Sequence, residues 1–294
     1  MSTKMTRREL LIRGIAGAAA AGAVRARASA ADVLTAVQVV ERIKGRVGIP
    51  WLADTVDRMV AGSPETRVRG IATTMMATLE VLQQAAAAGR NLVITHEPTF
   101  YSHRDGIEAL EEDPVYQLKR DHIAKHEMAV FRFHDHWHRM TPDGIAVGMA
   151  RELGWDRYVD AGEPRRFTLP ATPLARVVDD IRSGLKVRSL RVVGAPDTTV
   201  RRVAASWGYT DGFALIGLQP EADLIVVGET REWELVPYVQ DQVAAGRKKA
   251  LIVVNHVASE QAGMKYCAEW LKGFIPEVPV EFVAAEEPFW AVKP

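Results

Sequence analysis

Short apolar segments with the length of buried strands alternate with helical segments along most of the chain. Residues 91–95, 129–133 and 250–254 are largely apolar runs, as expected for strands of a sheet that helices cover on both faces. Between such runs, apolar residues recur at helical spacing, for example over residues 113–126 and 174–185. Because both halves of the chain show this alternation, the sequence predicts an α/β fold, a two-lobed α/β/α sandwich.

A proline-rich stretch from Gly162 to Pro173 divides the two halves, and the alternation begins again after it. We therefore expect an N-terminal lobe over residues 31–163 and a C-terminal lobe over residues 164–294. Residues 280–283 are predicted to form an edge strand that closes the chain.

Residues 1–30 have the three parts of an export signal. A basic start with Arg7 and Arg8 precedes a mildly apolar stretch and the small-residue cleavage pattern Ala28-Ser29-Ala30. The paired arginines before two leucines resemble a twin-arginine signal, which addresses folded proteins for export, so we expect a periplasmic or extracellular protein. The alternative is that residues 1–30 are a disordered tail without function. The apolar stretch is too weak for a stable membrane anchor, and no later run is long enough for a membrane span.

The charge outside this leader argues against nucleic acid as a partner. The chain has 37 basic and 37 acidic residues, but six of the basic residues and only one acidic residue lie in residues 1–30. The mature protein is therefore about five charges negative. A single cysteine, Cys267, excludes an intrachain disulfide and a thiolate-rich metal site, and its helical spacing from Leu271 predicts a core position.

Histidine and carboxylate residues follow three of the predicted strands. They are His96 and Glu97, the segment from His134 to His138, and His256 with Glu260. Ligands of open α/β sheets bind beyond the carboxyl ends of strands, so these side chains are candidates for one site. If the strand before His134 continues, His134, His136 and His138 share one face. Imidazole and carboxylate groups together suit zinc, iron or manganese.

Each segment also has a structural interpretation. The His96-Glu97 pair can be a polar strand end bonded to backbone groups, and the histidine-rich segment can be a solvated loop. Glu260 in a first helical turn can simply complement the helix dipole. The occurrence of three such segments in one chain favours the metal site.

Several segments carry a family resemblance when they are taken in order. They are residues 92–100 (LVITHEPTF), His134 to His138 with Pro142-Asp143-Gly144, residues 190–194 with 200–204, Val226 to Glu229, and Asn255 to Glu260. Together they resemble the Nif-three-like proteins (NGG-one-interacting factor three), dinuclear-metal proteins often described as GTP cyclohydrolase type 2-like. The resemblance covers nearly all of residues 32–294. It implies a metal site between two lobes and a ring-shaped homohexamer.

The resemblance also implies a ligand set for two divalent metal ions. Position by position, the ligands fall on His96, Glu97, His138, His256 and Glu260. Glu97 stands where the family has the second histidine of a pair, and His138 stands where it has an aspartate. The two exchanges together leave three imidazoles and two carboxylates, a set still suited to metal. Glu260 or Glu97 is the candidate bridge between the ions.

Two further residues are candidates for proton transfer. His134 matches a histidine of the family's segment, and Glu229 matches the acidic residue of its Gly-Asp/Glu turn. Alternatively, His134 forms a hydrogen bond to one of the residues that bind the metal ions. Trp233 stands where the family has a histidine, so no role is carried over to it.

These residues predict a metal-dependent hydrolase of a small polar substrate, a phosphoester or a cyclic amide. Two ions about 3.5–4 Å apart acidify a shared water and hold both oxygens of a displacement. The sequence has no glycine-rich phosphate loop of Walker or Rossmann type to support another chemistry. The alternative is a non-catalytic metal-binding, metal-handling or scaffold protein. A metal ion with an open coordination position would argue against this alternative.

Overall fold

Eleven strands and nine helices lie within residues 34–216 and 220–290, the part of the chain that the computed structural model describes. The strands are β1 Met59–Ala61, β2 Ile71–Thr74, β3 Leu92–Thr95, β4 Ala129–Arg132, β5 Val159–Asp160, β6 Glu163–Pro173, β7 Arg191–Val193, β8 Thr199–Thr210, β9 Leu224–Thr230, β10 Ala250–Val253 and β11 Val280–Phe282. The helices are α1 Ala36–Arg46, α2 Leu79–Ala87, α3 Pro114–Lys125, α4 Asp135–Arg139, α5 Gly144–Glu152, α6 Leu174–Leu185, α7 Gly212–Ile216, α8 Glu232–Ala244 and α9 His256–Lys272. The predicted export signal, residues 1–30, lies outside the described residues.

The strands form two sheets. The first has the order β1-β4-β3-β2-β11, and all of its pairs are parallel except β1 with β4. The second has the order β5-β6-β8-β9-β10-β7, with β8, β9 and β10 parallel to one another. Parallel strands place their carboxyl ends at one edge, so each sheet has an edge where ligands can bind.

Helices cover both faces of each sheet. In β3, Leu92 and Ile94 enter a core shared by both sheets, whereas Val93 packs in the cluster with α2 and α3. In β9, Val226 enters the shared core and Val227 packs in the cluster with α7 and α8. The predicted two-lobed α/β sandwich is confirmed, with a middle helical layer that the two sheets share.

Two helices of this middle layer, α5 and α9, cross at close range. A Cβ atom on Gly148 would lie 2.5 Å from Cα of Gly263, so a larger residue there would force the helices apart. The hydroxyl of Thr73 on β2 donates a hydrogen bond to the Met264 carbonyl on α9, at 2.7 Å. These contacts set the position of α9, whose first turn carries two of the predicted metal ligands.

The proline-rich stretch at the expected lobe boundary forms a strand. It forms β6, which pairs with β8 and also with β5, a strand that precedes the expected lobe boundary. The β6–β8 register shifts between Thr168 and Thr172, around Pro170, and such an irregularity accommodates a residue without an N–H donor. Residues 280–282 form an edge strand, as predicted, but they pair with β2 of the first sheet. Segments before and after residue 163 therefore contribute to both sheets.

The helix ends follow from local sequence. Asp113 accepts hydrogen bonds from the backbone N–H groups of Val115 and Tyr116, and Pro114 occupies the first position of α3. Cys267 is fully buried on α9, as predicted. Within the described residues, no helix combines the length and apolar character needed to cross a membrane.

Candidate metal centre

His96 and Glu97 follow β3 directly and are buried. Their backbone N–H groups donate to the carbonyls of Thr74 and Met75, so the chain continues alongside β2 for two more residues. Arg132, the last residue of β4, is fully buried beside them. Its Nε donates to the His96 carbonyl at 3.1 Å, and its Nη2 donates to Glu97 Oε2 at 3.2 Å. The guanidinium group therefore orients the Glu97 carboxylate.

The histidine-rich segment is helical, which corrects the expectation that His134, His136 and His138 share one face. The buried carboxylate of Asp57 accepts the backbone N–H groups of His134, Asp135 and His136, at 2.6, 2.9 and 2.8 Å. These are N–H groups that a helix start leaves without partners, so Asp57 stabilises α4 at this point. Residues four apart share a helix face, and His134 and His138 therefore point into one site.

His136 points away from this site. Its Nε2 accepts the backbone N–H of Leu52 at 3.0 Å, so the ring proton lies on Nδ1, which donates to Asp57 at 2.6 Å. The ring also stacks on Trp51, with centroids 3.7 Å apart. Both nitrogens of His136 are thus engaged, and the residue ties α4 to the segment that precedes β1.

The second sheet contributes side chains from α9 and β9. The side chain of Asn255 caps α9, so the helix begins at His256. His256 and Glu260 are one turn apart, with Nε2 and Oε2 separated by 3.2 Å. Glu229, near the end of β9, lies with Oε1 3.3 Å from Nδ1 of His256.

The structure brings all five predicted ligands together with His134 and Glu229. The measured separations are His96 Nε2 to His138 Nε2 at 3.2 Å, His96 Nε2 to Glu260 Oε2 at 3.6 Å, His138 Nε2 to Glu260 Oε1 at 3.5 Å, His256 Nε2 to Glu97 Oε1 at 3.2 Å, and His134 Nε2 to Glu97 Oε1 at 3.8 Å. Groups from both sheets meet at the carboxyl ends of their strands, as in other open α/β proteins.

Each of the four histidines in this cluster directs Nε2 inward. The Nδ1 atoms are held from outside: His96 by the Phe133 carbonyl at 3.1 Å, His134 by Asp135 at 2.9 Å, His138 by Asp143 at 3.3 Å, and His256 by Glu229 at 3.3 Å. A metal-bound histidine characteristically donates from its remote nitrogen to a carbonyl or carboxylate, which fixes the tautomer and the ring orientation. The cluster therefore has the hydrogen-bonding pattern of a metal centre.

Glu260 occupies the middle of the cluster. Its side chain is almost fully buried, and the two oxygens face different partners, with Oε1 toward His138 and Oε2 toward His96 and His256. Oε2 accepts no hydrogen bond from the described residues. A buried carboxylate is costly unless a cation or donors compensate its charge, so this atom fits a metal ligand.

Two sets of donor atoms have the spacing that a metal ion requires. His96, His134 and His138 form one set, and His96, Glu97 and Glu260 form the other, with donor atoms in each set within 4.8 Å of one another. His134, predicted for proton transfer, therefore also belongs to a candidate ligand set. The predicted ligand His256 belongs to neither set, although its Nε2 lies 3.2 Å from Glu97 Oε1 and from Glu260 Oε2. His136 and Trp233 also lie outside both sets, and Trp233 is 75% exposed.

Burial and the neighbouring carboxylates shift the pKa values of the histidines in this cluster in opposite directions. Burial lowers the pKa of His96 to about 3. For His138, burial acts in the same direction, but contacts with Asp143 and Glu260 outweigh it and raise the pKa to about 9. The pKa of His256 rises to about 12 in the same way, through Glu229, Glu260 and Glu97. At neutral pH the imidazoles of His138 and His256 are therefore protonated and offset part of the negative charge of the carboxylates around them.

Four residues that shape the cluster were missed in the sequence. Asp57 and Arg132 position the ligand segments, and Asp143, itself paired with Arg165 at 2.6 Å, orients His138. Gly208 lies against Glu260, where a Cβ atom would be 2.6 Å from Cδ. Of these four, only Asp143 lies in a segment that the family resemblance includes, the Pro-Asp-Gly segment after the histidines. The other three lie in segments without a recognisable motif.

The fold and the site define a two-lobed α/β protein with a candidate histidine–glutamate metal centre. A family model, Duf34/NIF3 (NGG1p interacting factor 3), matches residues 45–288, and the chain belongs to this family. The resemblance inferred from the sequence is confirmed.

Several relatives share between 14% and 23% sequence identity with this chain. The GTP cyclohydrolase 1 type 2 homolog of Clostridium perfringens (strain 13 / Type A) is 23% identical over 267 residues, which is 87% of this chain and 95% of that protein. Crystal structures of Staphylococcus aureus protein SA1388 (TM-score 0.70, 18% identity) and of a Bacillus cereus protein related to NIF3 (TM-score 0.68, 14% identity) are similar. They align over 89% and 88% of this chain, respectively, and over 100% of their own chains. At these identities the structures support the fold.

Proposed function

We propose that this chain is a dinuclear metal-dependent hydrolase that acts on a small polar substrate, a phosphoester or a cyclic amide. The observation that carries the proposal is the position of Glu260, whose two oxygens face different histidines in the middle of the cluster. A carboxylate placed in this way could bind two divalent ions at once, and imidazole with carboxylate donors suits zinc, iron or manganese.

The number of donors favours catalysis over storage. Six residues direct donor atoms inward: His96, Glu97, His134, His138, His256 and Glu260. With Glu260 shared, two ions would have about seven protein contacts between them, so at least one ion would have only three protein ligands, fewer than the four that close a zinc site. The position left open there would be available to water and substrate. When bound, the two ions would supply Lewis acidity and a water of lowered pKa.

The more exposed side of the cluster indicates where a substrate approaches. His96 and Glu260 are buried, whereas the side chains of His134 and His256 are 24% and 22% exposed. Glu229 is 52% exposed and contacts His256 Nδ1. Its pKa is lowered chiefly by the hydrogen bond with His256, so it is an anionic proton acceptor at neutral pH. We assign proton transfer to Glu229, because His134 directs its Nε2 toward the metal ligands.

The test begins with metal content. After purification and reconstitution with Zn²⁺ or Mn²⁺, the full chain should retain two ions, and Glu260→Ala and His138→Ala should each retain fewer. Glu112→Ala, at an exposed position outside the cluster, is the matched control. Unchanged metal content in both cluster variants would refute these ligand assignments.

Hydrolysis is measured separately with metal-loaded protein. We expect turnover of an activated phosphodiester or of a cyclic amide that disappears in Glu260→Ala and after chelation. If two ions bind and neither class of compound is hydrolysed, the alternative of a non-catalytic metal-handling or scaffold protein is supported instead. Its specific motivation is the burial of His96 and Glu260, which suits tightly held ions.

We also propose that the mature chain is exported and forms a homo-oligomer, a hexamer by family resemblance. The twin-arginine-like pattern supports the first part, and it implies metal loading in the cytoplasm before export. Elemental analysis of protein recovered from the cytoplasm and the periplasm tests the loading, and metal found only in the periplasmic sample would contradict it. Light scattering of the purified chain tests the hexamer.

A further inference from the structure

The two halves of the metal centre differ in chemistry. On one side, the three imidazoles of His96, His134 and His138 face one another, and Glu260 contributes one oxygen. On the other side, Glu97 Oε1 and Glu260 Oε2 each lie 3.2 Å from Nε2 of His256. We name these the imidazole-rich position and the carboxylate-rich position.

Arg132 maintains this difference. Its Nη2 donates to Glu97 Oε2, which leaves Oε1 as the oxygen that faces His256 and His134. Nε and Nη1 of Arg132 donate to the carbonyls of His96 and His103, so the guanidinium group is itself fixed. The carboxylate-rich position thus presents two carboxylate oxygens, Glu97 Oε1 and Glu260 Oε2, beside a single imidazole, that of His256.

Ligand type determines which cations each position favours. Imidazole donors suit zinc, whereas carboxylate oxygens suit harder ions such as manganese. We infer that the two positions prefer different metal ions, with Zn²⁺ at the imidazole-rich position and Mn²⁺ at the carboxylate-rich position. This inference rests on the proposed dinuclear site and assigns a different ion to each half.

Sequential loading of the full chain tests the inference. The chelator-treated protein receives one equivalent of Zn²⁺ and an excess of Mn²⁺, is desalted, and is analysed by elemental analysis and by electron paramagnetic resonance of the bound manganese. We expect one zinc and one manganese ion for each chain, and a manganese signal from a single type of site. Retention of zinc alone, of manganese alone, or of manganese at two unlike sites would overturn the inference. Retention of no metal would instead refute the proposed metal centre itself.

Glu97→Gln provides the matched variant. The amide oxygen of glutamine can still accept from Arg132, so the buried guanidinium group keeps a partner, but the anionic donor is lost. We expect manganese retention to fall by about tenfold or more while zinc retention is unchanged. An equal loss of both metals, or no loss of manganese, would contradict the assignment of Glu97 to a separate position. Glu112→Gln, at an exposed site on the same lobe, is the control.

Discussion

Gly208 lies directly against the carboxylate of Glu260. Its backbone is in the left-handed region with φ of +73°, at an irregularity in the β8–β9 pairing between Ser206 and Tyr209. Its N–H donates to the hydroxyl of Ser259 at 3.0 Å, next to Glu260 on α9. A Cβ atom at Gly208 would lie 2.6 Å from Cδ of Glu260. The absence of a side chain at Gly208 therefore allows the central carboxylate to occupy its place.

We predict that Gly208→Ala displaces the Glu260 carboxylate and weakens metal binding by about tenfold or more. Gly246→Ala is a closely matched control, because Gly246 has φ of +75° and a Cβ atom there would have no atom of the described residues within 4 Å. Both variants bear a similar backbone strain, about 1–2 kcal/mol, but only the first contacts the cluster. Zn²⁺ affinity, measured by competition with a chelating dye, should fall in Gly208→Ala alone. Equal affinities in the two variants would show that Gly208 does not position Glu260.

The second prediction concerns the orientation of His138. Asp143 Oδ2 faces His138 Nδ1 and also pairs with Arg165, while Oδ1 caps α5. Asp143→Asn keeps an oxygen for the cap but removes the charge that holds the imidazole, so we expect Zn²⁺ affinity to fall by about 10–100-fold. Asp113→Asn makes the same change at the cap of α3 and should leave affinity unchanged. If both variants bind Zn²⁺ with the affinity of wild type, the contact between Asp143 and His138 has no role in orienting the ligand.

Metal loading should release protons. His138 and His256, with pKa values raised to about 9 and about 12, are protonated in the metal-free protein at neutral pH. Their Nε2 atoms must be deprotonated to bind a cation, so loading at pH 7 should release about two protons for each chain. Affinity therefore rises with pH across the neutral range. Titration calorimetry in buffers of different ionisation enthalpy counts the protons, and His256→Ala should release about one fewer. Loading without proton release would contradict this charge distribution.

Much of the site could be predicted because its ligands follow apolar strands. His96 and His256 each come after a run that is buried on both faces, and strand ends at one sheet edge are close in space. The pattern did not reveal that α4 is a helix. That structure depends on Asp57, which lies in a loop 77 residues before His134 and accepts its backbone N–H.

The remaining parts depend on contacts that local patterns do not encode. Arg132 interrupts an apolar strand, and its guanidinium group is buried only because Glu97 and two carbonyls accept from it. Pro170 belongs to the proline-rich stretch that suggested a lobe boundary, yet this stretch is a strand that accommodates the proline at a register shift. In both cases the partner across the fold, rather than the neighbouring sequence, determines the structure.

A buried lysine outside the metal centre makes the stability of the fold depend on pH. Lys119 of α3 donates from Nζ to the Thr99 carbonyl at 2.5 Å and lies near the rings of Phe100 and Tyr101. Burial lowers its pKa from 10.5 to about 8, although Asp105 opposes the shift. Between about pH 8 and pH 10.5, Lys119 is more often protonated in the unfolded chain than in the folded chain. The contribution of Lys119 to the free energy of unfolding therefore increases with pH in this range.

We therefore predict that wild type gains stability relative to Lys119→Met as the pH rises from about 8 to about 10, by at most about 3 kcal/mol. The comparison between variants removes the titration of other groups that both proteins share. Lys125→Met, at an exposed position of the same helix, should show no such gain. Denaturant unfolding at several pH values measures the difference. A relative stability that stays constant or falls with pH would mean that Lys119 is not desolvated in the folded protein.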